Sequence, residues 1–409
     1  MLENHMNKKY LIARPDYISM ISPYIDVHVV KVLSGVRRCG KSCILDMIGD
    51  ELLKRGVGKE NIITRLYTSV EVEDGFSKTD MYEELKHIIA GDSRKYLLLD
   101  EVQEIEGWEQ AVNTLFETSD VDIYVTGSNS RLTPENLSTY LSGRYVLIPV
   151  YPLSFREYLT FAGNGEDDID SLFLRYVRQG GFPLIAVSDL DDRQTYQVAE
   201  GIYQSIINRD ILSRHPVREP EKFNRVVRFI IDHMGQVFSA NSISAYLKSQ
   251  GRQISVESVY NYITWLKEAF ILYECNRFDL IGKESLKTQE KYYLSDISFR
   301  YSVFGYKREM LDAVYENIVY LEMRRRGYDV HVGKLGTTEI DFMAKRKDEE
   351  LYVQVCVRLP RDSSREIGNL MEITNHYPKY VVTGDRTDVE NVNGIRVVYI
   401  TDFLLSEKW

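Results

Sequence analysis

The residues best suited to chemistry stand early in the chain, in Gly35-Val36-Arg37-Arg38-Cys39-Gly40-Lys41-Ser42, a G-x-x-x-x-G-K-S pattern. Glycines let backbone N–H groups curl around phosphates, and a helix that follows directly points its N-terminus at negative charge. A lysine neutralises β- and γ-phosphates, and a serine hydroxyl can join the shell of Mg2+. The pattern lies between a strand-like run, HVVKVLS, and a helix-like run, CILDMIGDELLK, which is the order this geometry needs. At average residue usage the octapeptide arises by chance in roughly one chain in a hundred of this length. ATP is therefore the expected ligand, lined by Gly35, Val36, Arg37, Arg38, Cys39, Gly40, Lys41, Ser42 and the next residue, Cys43.

Further along, Lys95-Tyr96-Leu97-Leu98-Leu99-Asp100-Glu101 sets two carboxylates at the end of an apolar run. Asp100 would complete a Mg2+ shell begun by Ser42, and Glu101 is placed to polarise the water that attacks a γ-phosphate. An apolar run ending in acids is by itself more often a strand entering solvent; its pairing with the phosphate loop gives it meaning. A third buried run ends in Thr126-Gly127-Ser128-Asn129, where Ser128 or Asn129 can position the water, and spacing does not choose between them. Arg144, in Leu141-Ser142-Gly143-Arg144, is either a cation for the transferring phosphoryl group or an ordinary surface salt bridge. Arg37 and Arg38 either touch phosphate or pair with acidic neighbours. Cys39, beside Lys41 and a helix N-terminus, sits in surroundings that lower a thiol pKa, although a small tolerated side chain is the plainer reading.

These groups need a rigid α/β scaffold. Short apolar runs without alternation, at 27–33, 62–68, 96–99, 123–126 and 145–149, read as buried parallel strands, and amphipathic stretches at 43–54, 81–90 and 108–118 supply the crossovers. From 155 to about 272 the pattern turns helical, and beyond 310 a long helix precedes further strand-like pieces. A chain of 409 residues has room for two or three domains. The expected division is a P-loop core at 1–155, a helical and winged-helix middle at 156–305, and a second α/β domain at 306–409. The net charge of −10 argues against a protein that coats nucleic acid, so any such contact is confined to one face. Four cysteines, with no CxxC pair, fit a reducing cytoplasm and no disulfide framework, and no apolar run is long enough for a membrane span. The expected location is cytoplasmic, with no membrane partner.

Taken together, GVRRCGKS, LLLDEVQ, TGSNS, LSGRY, PLSFREYL, GGFP and NRDIL resemble a widespread prokaryotic group of AAA-superfamily ATPases that carries a C-terminal domain of unknown function. The resemblance runs over nearly the whole chain. It implies ATP and Mg2+ as cofactors, hydrolysis, and on Arg144 a finger acting on a neighbour's nucleotide, which would require a homo-oligomer.

The stretch 238–279 reads as two helices with a turn between them and then a strand, a winged helix-turn-helix pattern to which the resemblance also points. Its candidate recognition helix offers Glu257, Ser258, Asn261, Tyr262 and Lys267. Between residues 206 and 290, 12 Lys and Arg face 10 Asp and Glu, which favours packing over DNA reading. The last piece resembles the restriction-endonuclease-like core. Asp341 matches its first acid, with Glu339 on the same strand face and Glu316 or Glu322 as a helix carboxylate, but Gln354 and Cys356 stand where Glu and Lys belong. Period-two alternation makes Arg358 a candidate displaced cation, and the Arg324-Arg325-Arg326 run is a solvated helix end or a phosphate contact.

The expectation is a Mg2+-dependent ATPase that passes its nucleotide state to the later domains. The alternative is a nucleotide-controlled DNA-binding regulator or defence-like component with a degenerate nuclease domain.

Overall fold

The computed structural model describes residues 12–409 except 69–71, 73–74, 92, 129–131, 133–140, 142, 164, 166–167 and 360–365, and except the side chains of 286–289. Asn129 lies outside the described residues. Contacts divide the chain into two compact units, Met1–Pro152 with Glu268–Phe270, and Leu153–Lys267 with Ile271–Trp409.

The first unit is built on five parallel strands: β1 (Val30–Ser34), β2 (Ile62–Leu66), β3 (Lys95–Asp100), β4 (Val121–Gly127) and β5 (Tyr145–Pro149). Their order is β2-β3-β4-β1-β5, so β4 runs between the strand that feeds the phosphate loop and the strand that ends in Asp100. Parallel neighbours require crossovers, supplied by helices α2 (Lys41–Lys54), α3 (Lys78–Ile88) and α4 (Trp108–Thr118); a shorter helix, α1 (Pro15–Ile21), precedes β1. Both faces are covered, which is why β1 and β4 are buried along their whole length and read as mainly apolar runs, each broken by one charged residue, Lys31 and Asp122. Alternate residues Val30, Val32, Leu97, Leu99, Ile123 and Val125 pack with Met81 and Leu85 of α3 and Trp108, Val112 and Leu115 of α4. The buried Lys31 ammonium pairs with Asp122, which also accepts from the Tyr124 hydroxyl at 2.8 Å.

Every strand of this sheet runs the same way, so the ends of β1, β3 and β4 meet at one edge. The chemistry-bearing residues Gly35, Asp100, Glu101, Thr126 and Ser128 follow from that single topological fact.

The second unit carries helices at Phe155–Ala162, Ile169–Gln179, Asp192–Ile206, Pro220–Asp232, Ala240–Ser249, Val256–Glu268 and Ser298–Phe304, and an eight-stranded sheet. The strands are β6 (Leu272–Asp279), β7 (Glu284–Leu294), β8 (Asp329–Leu335), β9 (Thr338–Arg346), β10 (Glu349–Cys356), β11 (Lys379–Thr383), β12 (Glu390–Val392) and β13 (Ile395–Tyr399), in the order β12-β13-β11-β10-β9-β8-β6-β7. The hairpin β6–β7 follows the helices of the expected winged helix, yet it is not a free wing. β6 pairs in parallel with β8 through Arg277 and Val332, so the sheet extends across the expected boundary at 305. A buried carboxamide holds the join: Asn317, on the helix Leu311–Arg325, donates to the Leu294 carbonyl at 2.9 Å and accepts the Leu294 N–H at 2.7 Å.

Candidate functional site

The phosphate loop leaves β1 at Ser34 and turns into α2 at Lys41. Gly35 is required by contact, because a Cβ there would lie 2.0 Å from the Val150 carbonyl oxygen. Gly40, at φ 102°, occupies the left-handed region that glycine tolerates best. The turn brings the first N–H groups of α2, which have no intrahelical acceptor, to the carboxyl edge of the sheet. Lys41 is nearly buried and its Nζ donates to the carbonyls of Gly35 at 2.9 Å and Val36 at 3.2 Å, so its charge is held over the loop. Arg38 and Ser42 are exposed and Cys43 is half-buried.

Asp100, at the end of β3, accepts a hydrogen bond from the Thr126 hydroxyl, and the Ser42 hydroxyl stands near it. Burial pushes its carboxyl up, and the two hydroxyls oppose the shift. A hydroxyl and a carboxylate close together at a helix start form an oxygen-only pair of the kind a hard divalent cation prefers, and they fit Mg2+.

Glu101 follows in the left-handed region at φ 55°, unusual for a side chain other than glycine, asparagine or aspartate. Its N–H is held by Thr126 Oγ1 at 3.0 Å. Its carboxylate accepts from Gln103 Nε2 and, at 3.2 Å, from Ser128 Oγ, and faces Arg37 at 3.9 Å. Burial alone would raise this carboxyl, but the Lys41 and Arg37 cations, with the Gln103 and Ser128 hydrogen bonds, hold it below the usual carboxylate range. Gln103, the last residue of LLLDEVQ, is a site residue that no spacing marks, because it reaches Glu101 and Ser128 only through the turn after Glu101.

Four of the candidate residues sit as follows. Arg37 faces Glu101 and Glu104 (3.8 Å), the acidic-neighbour alternative. The Cys39 thiol is fully buried, and burial pushes its pKa up more than Lys41 pulls it down. Ser128 is completely buried and reaches the site through Glu101. Arg144 is not brought to the phosphate loop of its own chain. Its carbonyl accepts the Val30 N–H at 2.8 Å, at the opposite end of β1, about 13 Å from Ser34 at ~3.3 Å per residue. Its guanidinium pairs with Glu117 and with Asn113 at 3.0 Å.

The second unit gathers a different constellation. Glu316, Glu339, Asp341, Gln354, Cys356 and Glu366 line a cavity of about 520 Å³. The Asp341 N–H donates to Gln354 Oε1 and the Val355 N–H donates to Asp341 Oδ2 at 2.9 Å, so the two strands do converge. The cation among these acids is Lys291 of β7, which lies 3.0 Å from Glu339, 3.4 Å from Glu316 and 3.9 Å from Asp341. Nothing local marks Lys291; it is delivered by the sheet order. Burial disfavours its charge, but the three carboxylates outweigh that and hold it protonated, while burial pushes the Glu316 carboxyl up to about 8. One ammonium shared by three acids leaves one acid best satisfied with its proton. Arg358 lines the cavity but pairs with Asp385 at 3.1 Å. Glu322 is not a member, being held by Arg325 and Arg326 at 2.8 Å each, and Arg324 pairs with Asp329 at 3.3 Å. The arginine run is thus engaged within the fold. Among the described residues, no three His, Cys, Asp or Glu groups are spaced to hold a metal ion, and no helix is long and apolar enough to cross a membrane.

A family model described as an AAA domain matches residues 28–159. A second, described as a domain of unknown function, DUF8612, matches 170–309 and so covers the middle of the chain rather than its end. Over 401 residues the chain is 37% identical to a Haemophilus influenzae protein that bears the name "Uncharacterized protein", covering 97% of this chain and 99% of that one. It is 28% identical over 354 residues to the Methanocaldococcus jannaschii protein MJ1544, covering 83% of this chain and 77% of that one. Among solved structures, the Walker-type ATPase PABY2304 of Pyrococcus abyssi superposes with a TM-score of 0.52 at 15% identity, over 74% of this chain and 99% of that chain, a likeness of fold. The chain therefore belongs to one family with the Haemophilus influenzae protein, which it matches nearly end to end, and its N-terminal part is an AAA domain with the P-loop ATPase fold.

Proposed function

We propose that the protein is a Mg2+-dependent ATP hydrolase whose N-terminal site works as a nucleotide switch for the rest of the chain. The observation that carries this reading is the Glu101 carboxylate, set beside Asp100 and kept ionised by Lys41 and Arg37. A base that hydrolyses ATP must be charged at neutral pH and fixed before water arrives, and Gln103 and Ser128 supply the fixing. ATP binds with its phosphates against the N–H groups between Gly35 and Ser42, and Lys41 moves from the loop carbonyls to the β- and γ-phosphates. Ser42 and Asp100 would hold Mg2+, which when bound neutralises phosphate charge. Glu101 accepts the proton of the attacking water, the bond from the γ-phosphorus to the bridging oxygen breaks, and ADP and phosphate leave. Since Ser128 contacts Glu101, loss of the γ-phosphate is felt through Glu101 at Ser128, at the end of β4.

Steady-state ATPase and nucleotide-binding measurements on wild type, Lys41→Ala and Glu101→Gln test this. Lys41→Ala should weaken ATP binding at least tenfold. Glu101→Gln should keep binding and lose turnover by roughly 10²-fold or more, the usual contribution of a positioned base. Equal turnover in all three would overturn the reading.

A further inference from the structure

Arg14 lies outside the phosphate loop and outside every motif, yet it is only 2% exposed. It precedes α1, and its guanidinium reaches two backbone carbonyls that are far apart in sequence. One nitrogen donates to Cys39 O at 2.9 Å, inside the loop, and the other to Tyr151 O at 3.0 Å, just past β5. The guanidinium stacks over the Tyr17 ring, 4.5 Å from its centroid, and the Tyr17 hydroxyl in turn accepts the Tyr151 N–H at 3.1 Å. The neighbouring Val150 carbonyl is the same group that forbids a side chain at Gly35, and it accepts from the Cys39 thiol at 3.3 Å. Residues 150–151 thus form a wall behind the loop, and Arg14 fastens the loop to that wall.

The Cys39 carbonyl is the informative partner. In a trans peptide the C=O of one residue and the N–H of the next point in opposite directions. Holding the Cys39 oxygen against Arg14 therefore turns the Gly40 N–H the other way, into the concave side of the loop. That peptide is the weak point of the loop, because Gly40 accepts either sign of φ at little cost and the plane can flip. Arg38, at φ 70°, already holds one left-handed position in this turn. A flip would replace a donor by a carbonyl oxygen where a phosphate must sit.

We infer that Arg14 is a positioning residue for nucleotide binding: by clamping the Cys39 carbonyl it locks the Cys39–Gly40 peptide in the orientation that presents the Gly40 N–H to phosphate. A charged donor also polarises the peptide it bonds, which strengthens the N–H on the far side. The inference rests on reading this loop as the nucleotide site, and it assigns Arg14 to affinity and Glu101 to turnover.

The test measures ATP affinity, with a fluorescent ATP analogue, and kcat for wild type, Arg14→Met and Arg14→Lys, with thermal melts alongside. Methionine fills space without donating; lysine keeps the charge but cannot bridge both carbonyls. Arg14→Met should weaken binding by about ten- to hundredfold, the range of hydrogen bonds to charged groups. Arg14→Lys should fall between Arg14→Met and wild type. In both, kcat at saturating ATP should stay within about threefold of wild type. Binding within twofold of wild type in Arg14→Met would overturn the inference, as would a fall in kcat with affinity unchanged. Should Arg14→Met melt below the assay temperature, Arg14→Lys decides: threefold or weaker binding supports the clamp and unchanged binding rejects it. Because affinity is read without hydrolysis, a wild type that binds ATP and never turns it over would refute the proposed activity while leaving the clamp measurable.

Discussion

Either side of Gly40, the phosphate loop carries two buried side chains of different kind, the Cys39 thiol and the Lys41 ammonium. Lys41 behaves as its pattern requires, because the G-x-x-x-x-G-K-S spacing itself defines where the lysine stands relative to the helix start. Cys39 follows the plainer of its two readings, a small side chain enclosed in the loop, because burial outweighs the positive charge nearby. The thiol is wholly enclosed and its pKa rises, so the thiolate that oxidation or alkylation needs is scarce. Folded protein treated with iodoacetamide at pH 8 should leave Cys39 unmodified for as long as the fold persists. Labelling becomes fast only in denaturant, and mass mapping of the labelled peptides checks it. Cys43 is half-buried with its thiol pushed up to about 11, so it too should react slowly. Rapid labelling of Cys39 in the native protein would contradict its burial. Arg14 and Gln103 were illegible for the opposite reason: each acts by reaching a partner that the chain delivers from elsewhere, and no pattern in their own surroundings announces it.

At the scale of elements, the P-loop sheet was legible because a parallel strand buried on both faces leaves a short, mainly apolar run without alternation, and β3 carries it cleanly while β1 and β4 carry it around one charged residue each. The second unit hid more, since its joins are made by polar groups inside. Asp296 shows this. It accepts the Gly181 N–H at 2.7 Å and the Ser298 N–H at 2.8 Å, tying the Gly180–Gly181 turn to the start of the helix Ser298–Phe304. Gly180 must be glycine here, at φ 80° with Asp296 Oδ1 where a Cβ would lie. Each carboxylate oxygen takes one N–H, so Asp296→Asn sets an amide donor against another donor and should cost about 1–3 kcal/mol, seen as a lower Tm. Burial pushes this carboxyl up to about 6 against its hydrogen bonds. An acid with a folded pKa above its unfolded one near ~3.9 binds the extra proton only when folded, so stability falls as pH rises through that window. The deficit of Asp296→Asn against wild type should therefore shrink by about 1 kcal/mol between pH 5 and 7.5. Melting curves at the two pH values measure it, and a deficit that grows with pH would refute the assignment.

For the whole molecule, the question left by the site is whether copies cooperate. Arg144 sits at the end of β1 away from its own phosphate loop, in an exposed pair with Glu117. An exposed ion pair contributes about 0–1 kcal/mol, so Arg144→Ala should change Tm little and kcat by less than about twofold in dilute solution. A tenfold loss of kcat that grows with protein concentration would instead place Arg144 over a neighbour's nucleotide. The exposed face of the helix Val256–Glu268 displays Glu257, Tyr260, Asn261 and Thr264, and the helix's lysine, Lys267, is paired with Glu274. Composition could rank these possibilities, but only the sheet order could show that the middle and the end of the chain share one surface.

That shared sheet also fixes what can be inherited or moved as a block. A fragment starting at residue 306 would lack β6 and β7 and leave β8 as a raw edge, its N–H and C=O groups open to pairing with another molecule. It would also strip the helix Leu311–Arg325 of the Leu294 backbone that Asn317 grips. A piece cut from this chain without baring that edge therefore begins no later than β6, so the terminal α/β layer and the hairpin before it form one unit of folding.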